Sequence, residues 1–174
     1  MLRRIRRLFS RKPEPFPDLE PVSLRPIGVV RNGVREPKPE GWRDVTSRII
    51  IRPDLEEALL GLNTFSHIVV LFWPHQVPEG VRGSKPRLHP RDDPKNPLQG
   101  VLATRAQIRF NPILTTAVPL LSVKENVLSV RGLDAIDGTP VLDVKPYIPY
   151  FDSVPEATVP AWITSMDERP ARSS

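Results

Sequence analysis

Thr116–Val123 reads TAVPLLSV and Val127–Gly132 reads VLSVRG, with only Lys124-Glu125-Asn126 between them, and this pair of runs decides the fold. Both runs are short and apolar, carry β-branched residues and are punctuated by Pro or Gly, which is how strands read. Working outward, runs of the same kind recur at Leu24–Arg31, Ser47–Arg52, His67–Trp73 and Gly100–Arg109 on one side and at Pro140–Val144 on the other. Many strands at hairpin-scale spacing, with no alternation of strand and helix, predict an all-β barrel or sandwich. Only one segment predicts a helix. Asp54-Leu55-Glu56-Glu57 offers an N-cap carboxylate and a reaching Glu, and Gly61 supplies a stop after about two turns. Gly80–Gln99 is rich in Pro, Arg and Asp and has no periodicity, so it predicts a long surface loop of the kind that carries function. Past Ile148 the apolar pattern fades. We therefore expect a basic, Pro-containing, disordered leader over residues 1–20, one domain over residues 21–160, and a C-terminal tail over residues 161–174 that frays from Asp167 onward.

The chain has 174 residues, 25 Lys and Arg against 20 Asp and Glu, 22 Pro and no Cys. Arg3, Arg4, Arg6, Arg7, Arg11 and Lys12 place six of those bases in the first twelve residues; removing them leaves 19 bases against 20 acids. A uniformly basic nucleic-acid grip is therefore not expected, and any electrostatic footprint is a tail or a local patch. The basic leader, with Leu2, Ile5, Leu8 and Phe9 among its arginines, suits RNA or an anionic surface. Absence of Cys excludes disulfides, thiolate chemistry and Cys-type zinc sites, and three scattered His make a three-His metal centre improbable, so no metal is assigned. The longest apolar run, Ile68–Pro74, is about seven residues against the roughly 20 that a membrane helix needs. Neither a GxGxxG nor a GxxxxGK[ST] phosphate loop is present, and no nucleophile elbow marks a hydrolase.

The remaining chemistry lies in polar segments at strand ends: Phe65-Ser66-His67, Pro74-His75-Gln76, Ala103-Thr104-Arg105, Asn111-Pro112-Ile113, Asp137-Gly138-Thr139-Pro140 and Lys145-Pro146-Tyr147. Singly, each has a plain reading: Asp-Gly is a turn, His67 a structural histidine, Asn111-Pro112 a strand end. In this order they resemble the TsaA-like domain of the tRNA methyltransferase O family. The matching pieces are Pro26–Arg31, Phe65–His67 with Leu71–His75, Gly100–Arg105, Arg109 with Asn111–Ile113, and Leu133 through the turn Asp137–Pro140 to Tyr147, whose reading DGTPVLDVKPYIPY is the most specific.

The resemblance implies a single small β-barrel, closed or partly open, with one short helix and long loops. It also implies that the barrel binds S-adenosylmethionine without a Rossmann domain, works as a homodimer with the cofactor near the interface, and is cytoplasmic. The implied reaction is methylation of the exocyclic amine of a threonylcarbamoyl-modified adenosine beside the tRNA anticodon. Matched position by position, His75, Gln76, Arg105, Thr115, Asp137, Gly138, Thr139 and Pro140 fall where the family holds the cofactor. Backbone groups of a tight turn suit an adenine edge or a carboxylate, and Arg105 can meet a carboxylate bidentately. Methyl transfer from a sulfonium needs in-line positioning more than acid–base work. Asn111, Lys145 and Tyr147 are the candidate catalytic residues, with Asn111 accepting from the attacking amine and Tyr147 stacking on a flipped base. Arg109, Arg87 and Arg91 are the candidate RNA contacts.

The chain departs from the family pattern at two positions of the central motif, where Phe110 replaces a Pro and Leu114 a Gly. A glycine at that point suggests positive φ or close approach, neither of which Leu supplies cheaply. Two alternatives follow: a methyltransferase on a small-molecule acceptor, with Phe110 and Leu114 lining a tighter pocket, or a non-catalytic S-adenosylmethionine-binding module.

Overall fold

A computed structural model describes residues 14–167. In strand β2 (Thr46–Ile51) Ser47, Ile49 and Ile51 are buried while Thr46 and Arg48 face out, and in β3 (His67–Phe72) Ile68, Val70 and Phe72 are the buried set. This period of two is what a half-buried strand requires. With β1 (Gly28–Arg31), β6 (Leu114–Lys124), β7 (Val127–Arg131) and β8 (Pro140–Pro146), these strands close into an antiparallel barrel in the order β1-β2-β7-β6-β3-β8, closed by the pairing of β8 with β1. The two-residue strands β4 (Arg87–Leu88) and β5 (Gln99–Gly100) pair separately outside it. Closure leaves the barrel strands without free edges. The interior is packed by Val30, Ile49, Ile51, Ile68, Val70, Phe72, Val118, Leu128, Val130, Leu133, Ala135 and Val141.

Two bulges interrupt the ladders. One extra residue, Leu121, lies between the pairs Leu120↔Val130 and Ser122↔Ser129, and another, Leu142, between Phe72↔Val141 and Leu71↔Asp143. Each adds a residue to one strand only and so changes which face the following side chains take.

The all-β barrel expectation holds, and the differences lie in detail. The predicted α-helix is a 3₁₀ segment, Pro53–Leu59, entered through Arg52 and Pro53 with no side-chain cap; Asp54 instead pairs with Arg52. The predicted strand Gly100–Arg109 keeps only Gly100, in β5. The chain then enters a 3₁₀ turn at Val101–Ala103, because the Arg109 guanidinium donates to the carbonyls of Val101 (3.3 Å) and Thr104 (2.6 Å) and folds the segment back on itself. Gly80–Gln99 is not structureless: it holds β4, the 3₁₀ turns Glu79–Val81 and Pro90–Asp92, and a small buried centre of Leu88, Pro90, Asp93 and Asn96. Short helices also form at Pro149–Asp152 and Ala161–Asp167, where the fading apolar pattern gave no signal. The basic residues of the leader, and the tail beyond Asp167, lie outside the described residues.

Candidate functional site

One mouth of the barrel is formed by the end of β1, the end of β3, and the starts of β6 and β8. The segment Gly132–Thr139 crosses it. Thr116 Oγ1 donates to Asp134 at 2.5 Å as the segment passes β6. Next to β1, Asn32 organises the crossing: its amide donates to Ala135 O (2.7 Å) and Ser47 Oγ (3.0 Å), and its Oδ1 accepts from Val34 N (3.0 Å). The turn Asp137-Gly138-Thr139 is then stitched to β1, with Asp137 N on Val34 O (2.7 Å), Gly138 N on Val30 O (2.8 Å) and Thr139 O accepting from Val30 N (2.9 Å). Gly138 has φ +81°, a conformation that glycine adopts without strain.

The Asp137 carboxylate is engaged within the fold. It accepts from Asn32 N (3.0 Å) and Arg31 Nη1 (3.2 Å); the Asn32 backbone donor is the main cause that holds its carboxyl below its ordinary value, burial opposes it, and the Arg31 guanidinium adds to the lowering. All three N–H groups of the turn are spent internally. Among the described residues no donor meets the carbonyls of Asp137 and Gly138, so the turn offers acceptors and cannot read a carboxylate.

His75 and Gln76 flank the turn. A Cβ on Gly138 would stand 3.7 Å from His75 Nε2, and Gln76 Nε2 reaches Arg35 O at 3.2 Å. Trp73, just beyond β3, donates its backbone N–H to Pro140 O (3.0 Å), and the Arg82 guanidinium lies 4.9 Å from the centre of a Trp73 ring. Thr139 is buried.

A second group lies on the outer wall. Thr115, Leu71 and Asp143 form one row across β6-β3-β8, and Ala117, Val69 and Lys145 the next. Arg105 Nη2 donates to Thr115 O (2.7 Å), and among the described residues the other guanidinium donors meet no partner. Lys145 Nζ pairs with Asp143 at 2.6 Å, and that carboxylate raises the lysine above its ordinary value. Tyr147 donates its backbone N–H to His67 O (3.0 Å), and the two rings lie 6.4 Å apart; His67 Nδ1 is 2.9 Å from Ser66 Oγ.

The structure therefore gathers Asp137, Gly138, Thr139, Pro140, His75 and Gln76, and sets Lys145 and Tyr147 apart from them. Five residue steps along β8 separate Pro140 from Lys145, about 16 Å at ~3.3 Å per residue. Asn111 is exposed, and Ile113 N donates to its backbone carbonyl at 2.8 Å. Arg87 is exposed on β4, and Arg91 reaches Met166 O at 3.4 Å. Leu114 is not a strained glycine substitute: it pairs with Phe72 in β6, packs half-buried against the core, and is absent from the positive-φ residues. Asn32 and Arg31, which hold the turn, were not singled out as functional; the only signal was Arg31 closing the first matching block.

Residues 34–153 match the family model for the tRNA-methyltransferase O N-terminal domain. The chain belongs to the tRNA-methyltransferase O family. Within this family it is 38% identical over 143 residues to the tRNA (adenine(37)-N6)-methyltransferase of Escherichia coli K12, covering 76% of this chain and 60% of that one. It is 41% identical over 141 residues to a probable S-adenosyl-L-methionine-binding protein of Methanothermobacter thermautotrophicus, covering 79% and 97%. The crystal structure of TrmO from Pseudomonas aeruginosa superposes with a TM-score of 0.65 at 34% identity, over 81% of this chain and 62% of that one. The chain thus spans about three-fifths of the bacterial relatives. By name the relatives are S-adenosyl-L-methionine-binding proteins and methyltransferases, so S-adenosylmethionine is the cofactor of the family to which this chain belongs.

The tRNA-methyltransferase O turn fits that cofactor here. Its free carbonyls suit the adenine amine, the ammonium or the sulfonium, and the glycine leaves room beside His75. Among the described residues no helix is long and apolar enough to cross a membrane.

Proposed function

We propose that this chain is a cytoplasmic S-adenosylmethionine-dependent methyltransferase acting on the exocyclic amine of threonylcarbamoyl-modified adenosine beside the tRNA anticodon. The observation that carries the reading is the mouth turn, whose donors are all satisfied internally while its carbonyls point to no partner. When bound, S-adenosylmethionine supplies an electrophilic methyl group. Asp137 and Gly138 accept from its polar groups, Arg105 pairs with its carboxylate, and His75, Gln76, Thr139 and Pro140 shape the turn's surroundings. Asn111 accepts a proton-bearing edge of the acceptor amine and orients its lone pair.

Lys145 and Tyr147 are too far from the turn of their own barrel to act there, which supports a homodimer in which they complete the partner's site. Arg87 and Lys85 are exposed, and among the described residues no carboxylate pairs with either; with Arg91, Arg109 and the basic arm they give the RNA its phosphate contacts.

The test is incorporation of label from methyl-labelled S-adenosylmethionine into tRNA with and without the threonylcarbamoyl group. Transfer only to modified tRNA, abolished by Asn111→Ala, is expected. Cofactor binding without transfer to either tRNA would leave a binding module instead.

A further inference from the structure

Phe110 is a large apolar side chain that stays 57% exposed, yet its ring is fixed from one side. A Cβ on Gly83 would stand 2.7 Å from Phe110 Cδ1 and 3.3 Å from Cε1, so the ring occupies the space that only a glycine leaves. Gly83 follows Arg82, whose guanidinium lies against Trp73 and donates through Nε to Val77 O at 3.1 Å. Trp73 in turn is bonded through its backbone to Pro140 of the mouth turn. An unbroken line of contacts thus runs from the turn through Trp73, Arg82 and Gly83 to Phe110. The next residue, Asn111, is exposed, and its carboxamide meets no hydrogen-bonding partner among the described residues.

We infer that Phe110, seated on Gly83, is a stacking platform for a purine ring at the barrel mouth, the ring being the acceptor's adenine. A ring pinned by Gly83 at Cδ1 and Cε1 and otherwise open is what base stacking uses, and a free carboxamide beside it can meet the donor and acceptor edge of an adenine. Arg82 and Lys85 flank Gly83 in the chain and Arg109 precedes Phe110, a basic neighbourhood that suits an RNA base better than an apolar protein partner. The inference rests on the proposed function. It goes beyond it by making Phe110, one of the departures from the family motif, a specificity-determining residue.

The experiment uses the full chain and two probes: an anticodon stem–loop carrying 2-aminopurine in place of the adenosine beside the anticodon, and S-adenosylhomocysteine followed by calorimetry. The expected result is quenching of the 2-aminopurine on binding to the wild type and to Phe110→Trp. Phe110→Leu, which keeps apolar bulk without a π-face, should fail to quench and bind the RNA about tenfold more weakly, with unchanged affinity for S-adenosylhomocysteine and an unchanged melting temperature. If Phe110→Leu instead weakens S-adenosylhomocysteine about tenfold and leaves quenching intact, the platform stands but its purine is the cofactor's. If neither probe distinguishes Phe110→Leu from wild type, the platform is refuted while the methyltransferase reading survives. If the wild type binds neither probe, the functional reading falls and the platform with it.

Discussion

Replacing Asp137 with Ala tests whether the mouth turn is held by its carboxylate. The change removes the acceptor for Asn32 N at 3.0 Å and for Arg31 at 3.2 Å. A part-buried N–H left unpartnered costs about 1–3 kcal/mol. The ion pair, with the arginine side chain 51% exposed, adds about 0–1 kcal/mol. A loss of about 2 kcal/mol lowers the melting temperature of a domain this size by about 4–8 °C. Asp137→Asn keeps an acceptor for Asn32 and should lose about half as much. The pH dependence has a definite sign. The folded carboxyl lies below its ordinary 3.8, so its stabilisation is fully present above that value and disappears as the pH falls through the folded one. Melting curves by circular dichroism should show a gap between wild type and Asp137→Ala that is constant from pH 7 to about 5 and narrows as the pH falls below 3.8. A gap that widens on acidification, or an Ala variant melting with the wild type at pH 7, would refute the idea that this carboxylate anchors the turn.

Three further outcomes follow from the geometry. Gly138→Ala should cost about 1–2 kcal/mol from the left-handed backbone alone, since a Cβ finds its nearest neighbour 3.7 Å away; a cost above about 4 kcal/mol in urea unfolding would mean that the turn is tighter than described. Lys145→Ala should leave the melting temperature unchanged and abolish methyl transfer. Mixing it with Asp137→Ala subunits should restore about a quarter of wild-type activity if the sites are shared across a twofold, and none if they are not. Because Asp143 raises the lysine, the ion pair persists until the pH exceeds about 10.5, so no titration of Lys145 should appear in rates between pH 6 and 9. Leu114→Gly, which restores the family residue, should lower stability by about 2 kcal/mol or more through lost core packing and lost backbone restriction; an equally stable variant would show that Leu114 contributes no packing.

The barrel was legible because β2, β3 and β7 are short apolar runs rich in β-branched residues, so Ile49, Ile68 and Val127 announce their strands locally, while the period of two appears only in their burial. Gly100–Arg109 was misread because its apolar residues satisfy a strand pattern while the decisive interaction, Arg109 reaching back to two carbonyls, has no local signature. The same holds for the 3₁₀ segment at Pro53, where the proline and the Arg52–Asp54 pair displace the expected cap. The turn Asp137–Pro140 was found by motif. That its N–H groups are spent on β1, and that Asn32 organises it, depends on contacts spanning about a hundred residues, which no local reading supplies. Leu114 was misjudged for the opposite reason: an absent glycine suggested strain, whereas an ordinary strand position accommodates the leucine.

The bulge at Leu142 has a consequence for the chemistry. Strand side chains keep count by parity: with Val141 pointing inward, an uninterrupted β8 would send Asp143 and Lys145 into the barrel beside Val70 and Ile68, where a charged pair could not be solvated. The one supernumerary residue inverts the count, so that Val144 packs inward and the acid–base pair emerges on the outer wall. A single leucine thus acts as a switch of sidedness between the two halves of one strand, letting the same seven residues seal the interior at one end and present chemistry to the outside at the other.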